Sequence, residues 1–400
     1  MIYDIIIVGA GIAGLYAAYK IKKSDPNSKV LVLEAESQVG GRAGTHKFNR
    51  VNVLSGAGVG RKKKDLLLTE LLTELNISHT EFETEPHFST TIFPRCTLKK
   101  TFPELRSKYN PKNHAHLTFR KFALSILDAD AYHNFVTCSG YSDYERENAH
   151  DTLYNYGFDD NYKKWTAMGI SWKTLLEKLV SNIGKKNIHC SKRVSKIDIL
   201  ESGVGVIVEN AHRYECQKLI LATTINCLRS ILPGSDSKNS PYQYVHSQSF
   251  LRIYGKFTKD SSVIMKEICP RTTVVPGPLH KIIPMDSDKG VYMIAYTDNK
   301  AANLLEKYAE NTPKNRSALC KIMEIAFGIS IGSLELSDMI PFYWKEGTHY
   351  YDPLPSKYSS IKEFIQEIQH PHPNILVIGE LASKNKGWVE GSLESVESIL

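Results

Sequence analysis

The chain has 400 residues, 42% of them hydrophobic, and a net charge of +7. That is enough apolar material for a large core and, by length, for two or three domains; a collagenous, low-complexity or disordered chain is excluded. The seven cysteines are widely spaced with no C-x-x-C pair, which predicts neither a zinc site nor a disulfide framework and suits a reducing compartment.

In chain order, Tyr3 to Val8 is a short β-branched run that predicts a buried parallel strand, and Ile12 to Lys22 carries apolar residues at helical spacing. Asp25-Pro26-Asn27-Ser28 breaks the chain before a second strand, Lys29 to Glu34. Strand, helix and strand make a βαβ unit and hence a parallel sheet. Leu66 to Leu75 reads as a helix, and a domain change is expected near residue 80, where Tyr, His, Pro and Asn become frequent. Strand signals return after Ile188, at "RVSKIDIL", "VGVIVEN" and "KLILATT". Pro233-Gly234 to Pro241 marks a second exit, followed by mixed strands and a helix near Ala301 to Glu310. "NILVIGE" is a last strand, and Gly391 onward is helical in pattern.

The expected organisation is therefore α/β. Residues 1–80, 185–240 and 370–400 form a Rossmann-like domain from discontinuous segments, and 81–184 with 241–369 form an α+β substrate domain with a mixed sheet. Apart from the glycine-interrupted run Ile5 to Ala18, no segment approaches the roughly 20 apolar residues of a membrane span. A soluble, intracellular and most simply cytoplasmic protein is expected.

Charge is unevenly distributed. Arg95 to Lys121 holds eight Lys or Arg against Glu104 alone, and Tyr141 to Asp160 holds six Asp or Glu against Arg146 alone. Such runs are more often solvated faces than partner surfaces. Arg61 to Lys64 is a cation run without interleaved aromatics, so nucleic-acid binding is not expected. His114-Ala115-His116 and His370-Pro371-His372 lack nearby carboxylate or cysteine ligands, and no metal site is expected.

The chemistry-bearing motif is Gly9-Ala10-Gly11-Ile12-Ala13-Gly14, a G-x-G-x-x-G between strand and helix. Its first glycine permits the tight turn, the second lets backbone approach a pyrophosphate, and the third allows close helix packing, with the helix N-terminus adding positive charge. Glu34, with Ala35 beside it, ends the second strand where a carboxylate can accept from a ribose hydroxyl. Gly40-Gly41-Arg42 follows, a loop able to run close to a cofactor and offer a guanidinium fork to phosphate.

Together "DIIIVGAGIAGLYAA", "LEAESQVGGRAG", "RVSKIDILESGVGVIVENAHRYECQKLILAT" and "ILVIGELASKNKGWVEGSLES" resemble the flavin-containing amine oxidase family. The resemblance covers both ends and the middle of the chain and is weaker in the substrate regions. It implies non-covalently bound FAD. It implies that backbone at Val194 meets the adenine, that Gly379 and Glu380 lie near the ribityl-phosphate region, and that Gly56, Ala57 and Gly58 pass the flavin ring. Trp388 would stand against the substrate face of the ring, with Val389 opening a helix whose N–H groups point at the flavin edge.

The implied reaction is oxidation of a small-molecule amine, a monoamine, polyamine or amino acid, to an imine, with O2 as acceptor and peroxide as product. Two departures stand out. His349 falls where relatives carry an upright aromatic cage residue, next to Thr348 where some attach flavin through cysteine. Arg252 falls where relatives carry a lysine near the flavin's reactive nitrogen, unless a register slip puts Lys256 there. These departures leave open a same-fold flavoprotein with another reaction, such as a desaturase or isomerase, or a non-catalytic flavin-stabilised binding protein. Oligomeric state is not legible.

Overall fold

The structure is a computed structural model that describes residues 2–400. Its first sheet is ordered Val194–Leu200, Gly203–Val208, Arg213–Leu221, Ile2–Val8, Val30–Leu33, Ile188–His189, with Ile375–Val377 also pairing to Arg213–Leu221. The Ile2–Val8 strand lies parallel to both neighbours, Ile7 facing Ile220 on one side and Val32 on the other. Successive side chains in a strand point to opposite faces. Ile7, Val30, Val32 and Ile220 accordingly enter one core with the helices Ile12–Ser24, Trp172–Ile183 and Val389–Glu397. Ile6, Val8, Leu31, Leu33, Leu219 and Leu221 enter the other, beneath Ile225–Ile231 and Ile361–Gln369. A sheet buried on both faces is why these strands read as unbroken apolar runs.

The second sheet is ordered Leu336–Tyr351, Val245–Phe257, Val291–Asp298, Lys281–Asp286, Thr273–Val274, His87–Phe88. Its pairs are antiparallel except the last, which makes the sheet mixed. The fold class is therefore the expected one: a Rossmann-like α/β part and a mixed-sheet α+β part.

Two expectations change. The helix Trp172–Ile183 was assigned to the substrate region, yet Trp172, Leu175, Leu176, Leu179 and Ile183 pack in the core of the first sheet; the chain returns there before residue 185. The helix Ile361–Gln369 likewise buries Phe364 and Ile368 against that sheet's other face. Their amphipathic pattern identified them as helices but not which sheet they cover.

The cysteine reading is also corrected. Cys96 and Cys138 form a disulfide, 42 residues apart, inside a helical cluster built on Phe102, Phe119, Phe122, Phe135 and Phe158. The other five cysteines are free. Spacing along the chain says nothing about two sulfurs that tertiary packing brings together, so the inference to a reducing compartment loses its basis.

No helix among the described residues is long and apolar enough to cross a membrane.

Candidate active site

The cradle forms where the first strand ends. Gly9 has φ +103°, and a Cβ there would meet Ala222 O at 2.4 Å; a Cβ on Gly14 would meet Gly9 O at 1.9 Å. Both positions therefore exclude any side chain. Gly11 is different, since nothing lies within 4 Å of the place its Cβ would take, and the same holds at Gly379. The glycines thus divide into two that pack backbone on backbone and two that face open space.

The helix Ile12–Ser24 has no side-chain cap and no acid in its first turn, and Val389–Glu397, whose N-cap is Trp388, has no side-chain cap either. The first N–H groups of a helix have no partner within it, so the unfilled ends suit an anion or a polarised oxygen. Ala13 is buried in the first of these turns. Glu34 is buried and shapes the rim: its carboxylate accepts from Ala10 N–H at 2.7 Å and Glu36 N–H at 2.9 Å. Ala35 lies between those contacts. Lys192 N–H donates to Glu34 O at 2.7 Å, which draws the start of the Val194–Leu200 strand across the end of Val30–Leu33.

The Gly40–Arg42 loop is stitched to this cradle. Gly40 N–H donates to Ala10 O at 2.8 Å, and Gly41 sits against Gly11. Ala57 N–H donates to Arg42 O at 2.8 Å, and a Cβ on Gly56 would meet Arg42 O at 2.0 Å. The residues present fit an FAD dinucleotide: open glycines, two uncapped helix ends and a rim carboxylate occur together, drawn from both ends of the chain.

Glu380 is the junction. Its Oε1 accepts from Arg42 Nη1 at 2.7 Å and from His349 Nδ1 at 2.5 Å, and its Oε2 from Gly387 N–H at 3.0 Å. Burial would raise this carboxyl, but His349, Arg42 and the Gly387 N–H outweigh it and hold it well below the usual carboxylate range. Arg42 also donates to Gly347 O at 2.9 Å, so part of the fork expected for phosphate is spent within the protein.

His349 is not a cage residue. Its side chain is 0% exposed, and Ile225 N–H donates to Nε2 at 3.1 Å, so the ring proton sits on Nδ1 and points at Glu380. His349 stands opposite Ser247 in the antiparallel pairing of Leu336–Tyr351 with Val245–Phe257, and its ring is enclosed by protein.

Trp388 is held by polar contacts that the sequence did not reveal. Its indole N–H donates to Asp65 Oδ2 at 2.7 Å, its ring meets Trp172 edge-on at 6.3 Å, and the Arg61 guanidinium lies 5.9 Å from it. Trp172 Nε1 in turn donates to Gly58 O at 2.9 Å. On the far side of Gly58, Arg252 Nη2 lies 3.5 Å from the place a Cβ would take. Lys256 instead runs outward to the exposed Lys289 carbonyl, so it is Arg252 that meets the Gly56–Gly58 loop.

Arg252 stands directly opposite Tyr296 across the sheet and stacks on its ring at 4.6 Å. Tyr296 meets Tyr141 edge-on at 5.5 Å, and Lys281 Nζ lies 3.3 Å from the Tyr141 ring centre. Burial pulls the Lys281 ammonium down to about 7, against Asp143 and Asp298, which oppose it. Tyr296, Tyr141 and Lys281 were missed because no local motif announces a cross-strand cation–π stack.

Just before Trp388, the Lys386 side chain is 4% exposed and bridges Glu147 at 3.0 Å and Asp151 at 3.2 Å. The acidic segment read as a solvated face therefore buries two of its carboxylates. Among the described residues, no group of three or more His, Cys, Asp or Glu gathers as a metal-ligand set.

Residues 7–75 match the model of the NAD(P)-binding Rossmann-like domain family. Among solved structures, a triple mutant of putrescine oxidase superposes with a TM-score of 0.74 at 17% identity, covering 99% of this chain and 97% of that one. Wild-type putrescine oxidase bound to putrescine gives 0.73 at 16%, covering 100% and 98%. The chain thus shares the fold of putrescine oxidase. An uncharacterised protein of Acanthamoeba polyphaga mimivirus is 20% identical over 99% of this chain and 93% of its own length. An L-amino-acid oxidase of Echis ocellatus is 36% identical over 83 residues, 20% of this chain and 16% of that protein.

Proposed function

We propose that the chain binds FAD non-covalently and oxidises a small-molecule amine to an imine, with O2 as acceptor and peroxide as product. The observation that carries the reading is the convergence of Gly9–Gly14, Glu34–Arg42, Gly56–Gly58 and Gly379–Val389 on one cradle, open at Gly11 and Gly379. Gly11, Ile12 and Ala13 would hold the pyrophosphate, Glu34 the ribose, backbone near Val194 the adenine, and Gly379 and Glu380 the ribityl-phosphate region. Thr348, which lies beside Gly387 and offers no thiolate, supports a non-covalent link.

When bound, the flavin supplies the two-electron acceptor. The protein's share is orientation and exclusion of water. Trp388, fixed by Asp65, and Arg252, stacked on Tyr296, would border the substrate space. The first turn of Val389–Glu397 would offer backbone N–H groups to the flavin edge, where negative charge is favoured. The amine gives up two electrons and two protons as its C–N single bond becomes double; water then hydrolyses the imine.

The test is direct. Purified protein should show a flavin absorption band that denaturation releases into solution, anaerobic substrate should bleach it, and air should restore it with one peroxide per turnover. Protein without that band, or with a flavin that no monoamine, polyamine or amino acid reduces, would overturn the proposal.

A further inference from the structure

Arg252 is a permanent cation with 5% of its surface exposed. Its Nη1 is buried without a hydrogen-bond partner, and no carboxylate among the described residues lies within 4.0 Å of the guanidinium. An ion taken out of water without a counter-charge costs several kcal/mol. A fold carries such a group where something outside the chain pairs with it.

No neighbour supplies a counter-charge: the Tyr296 and Tyr254 hydroxyls lie close enough to favour the guanidinium's charged form, but they are phenols and not carboxylates. Tyr296 offers its ring face, and the Tyr254 hydroxyl is committed to Leu54, donating to its carbonyl at 2.7 Å and accepting from its N–H at 3.2 Å. The nearby carboxylates are engaged elsewhere: Asp298 accepts from Ser142 N–H at 3.0 Å, and Asp143 from the Tyr156 hydroxyl at 2.6 Å. The other ionisable group on the tyrosine pair, Lys281, is basic and supplies no negative charge. Gly58 leaves the space before Arg252 free of any side chain.

A guanidinium fork matches the two oxygens of a planar acid. A diamine, by contrast, would bring its second positive charge to a wall carrying the permanent Arg252 cation. We propose that the substrate carries a carboxylate that pairs with Arg252, so that the amine oxidised is that of an amino acid and not a diamine or polyamine. The inference rests on the amine-oxidising reading above for the identity of the reaction, but the acid site itself can be measured without turnover.

The test uses holoenzyme, titrated by calorimetry and by flavin difference spectra with benzoate, an inert carboxylate, and separately with butane-1,4-diamine. Benzoate should bind the wild type more tightly than the diamine. Its affinity should fall roughly 10-fold in Arg252→Lys, which keeps the charge but loses the fork, and about 100-fold in Arg252→Met. Diamine affinity should hold or rise in Arg252→Met. Should that variant not fold, Arg252→Lys alone decides. Benzoate affinity within about threefold of wild type in the variants, equal losses for both ligands, or tighter diamine binding to the wild type would each overturn the acid site. The two readings fail separately: protein without flavin absorption ends the oxidase reading, while calorimetric benzoate binding that weakens in Arg252→Lys still establishes the acid site.

Discussion

Trp388 and Asp65 meet across 323 positions of sequence, the indole N–H 2.7 Å from Oδ2 of a carboxylate with no exposed surface. Asp65 also accepts from Arg61 through its backbone N–H at 2.6 Å, Nε at 3.0 Å and Nη2 at 2.8 Å. The orientation of the tryptophan ring is thus set by a hydrogen bond to a fixed acceptor, and packing against Trp172 only completes it. This is how the N-cap residue of the final helix is held in a single orientation.

Trp388→Phe keeps an aromatic ring but removes the donor. The variant should lose about 1.5–3 kcal/mol of stability in urea unfolding, the usual worth of a hydrogen bond to a carboxylate. Its flavin spectrum should shift, and amine turnover should fall at least about tenfold through misplaced substrate. A variant with unchanged spectrum and turnover would show that Trp388 does not border the reacting centre.

The cradle was legible because its signals are local. The strand-to-helix turn at Gly9 to Gly14, the strand ending at Glu34 and the Gly40–Gly41 pair lie within 35 residues, and each glycine has a backbone reason visible in sequence. Asp65, Lys386 and the Cys96–Cys138 bridge were not legible, because each acquires its meaning from a partner supplied by another part of the fold. His349 shows the intermediate case. Its place on a strand is readable, but the face it presents depends on the irregular pairing between Gln248 and Phe250, and one residue of slip reverses every side chain.

Glu380→Gln removes the charge that Arg42 and His349 share. Breaking one side of a buried pair typically costs about 3–5 kcal/mol. The folded carboxyl lies below its unfolded value, so its contribution is complete above the ordinary carboxylate range near 4.3 and is lost only as pH falls below that. The deficit of the variant should therefore be the same at pH 8 as at about pH 6 in parallel urea titrations. A deficit that disappears between those values would contradict the buried, charged assignment.

Lys386→Met leaves Glu147 and Asp151 buried together with no cation. In the native chain, burial would raise Asp151, yet Lys386, His150 and Asn155 bring it down to about 2. Without Lys386 the folded carboxyls rise above their unfolded values, so the variant gains stability as pH falls. Its loss, roughly 3–5 kcal/mol at pH 7, should shrink by pH 5, measured as the difference between the two proteins at each pH. A constant difference would mean that the carboxylates find solvent or another partner.

Lys281→Met should give the opposite sign. Burial holds the folded ammonium at about 7, far below the unfolded value near 10.4. Between those limits the unfolded chain binds the additional proton, so native stability rises with pH there, and below about 7 the full cost of burying the charge is borne. Methionine fills a similar volume without that cost. The variant should therefore be more stable than wild type at pH 6.5, and the advantage should shrink by roughly 2–3 kcal/mol on going to pH 9. Urea unfolding of both proteins at the two pH values reads this difference directly. An advantage that is absent at pH 6.5, or that grows toward pH 9, would show that Asp143 and Asp298 hold Lys281 as a stable ammonium and that the tyrosine pair carries a permanent second cation.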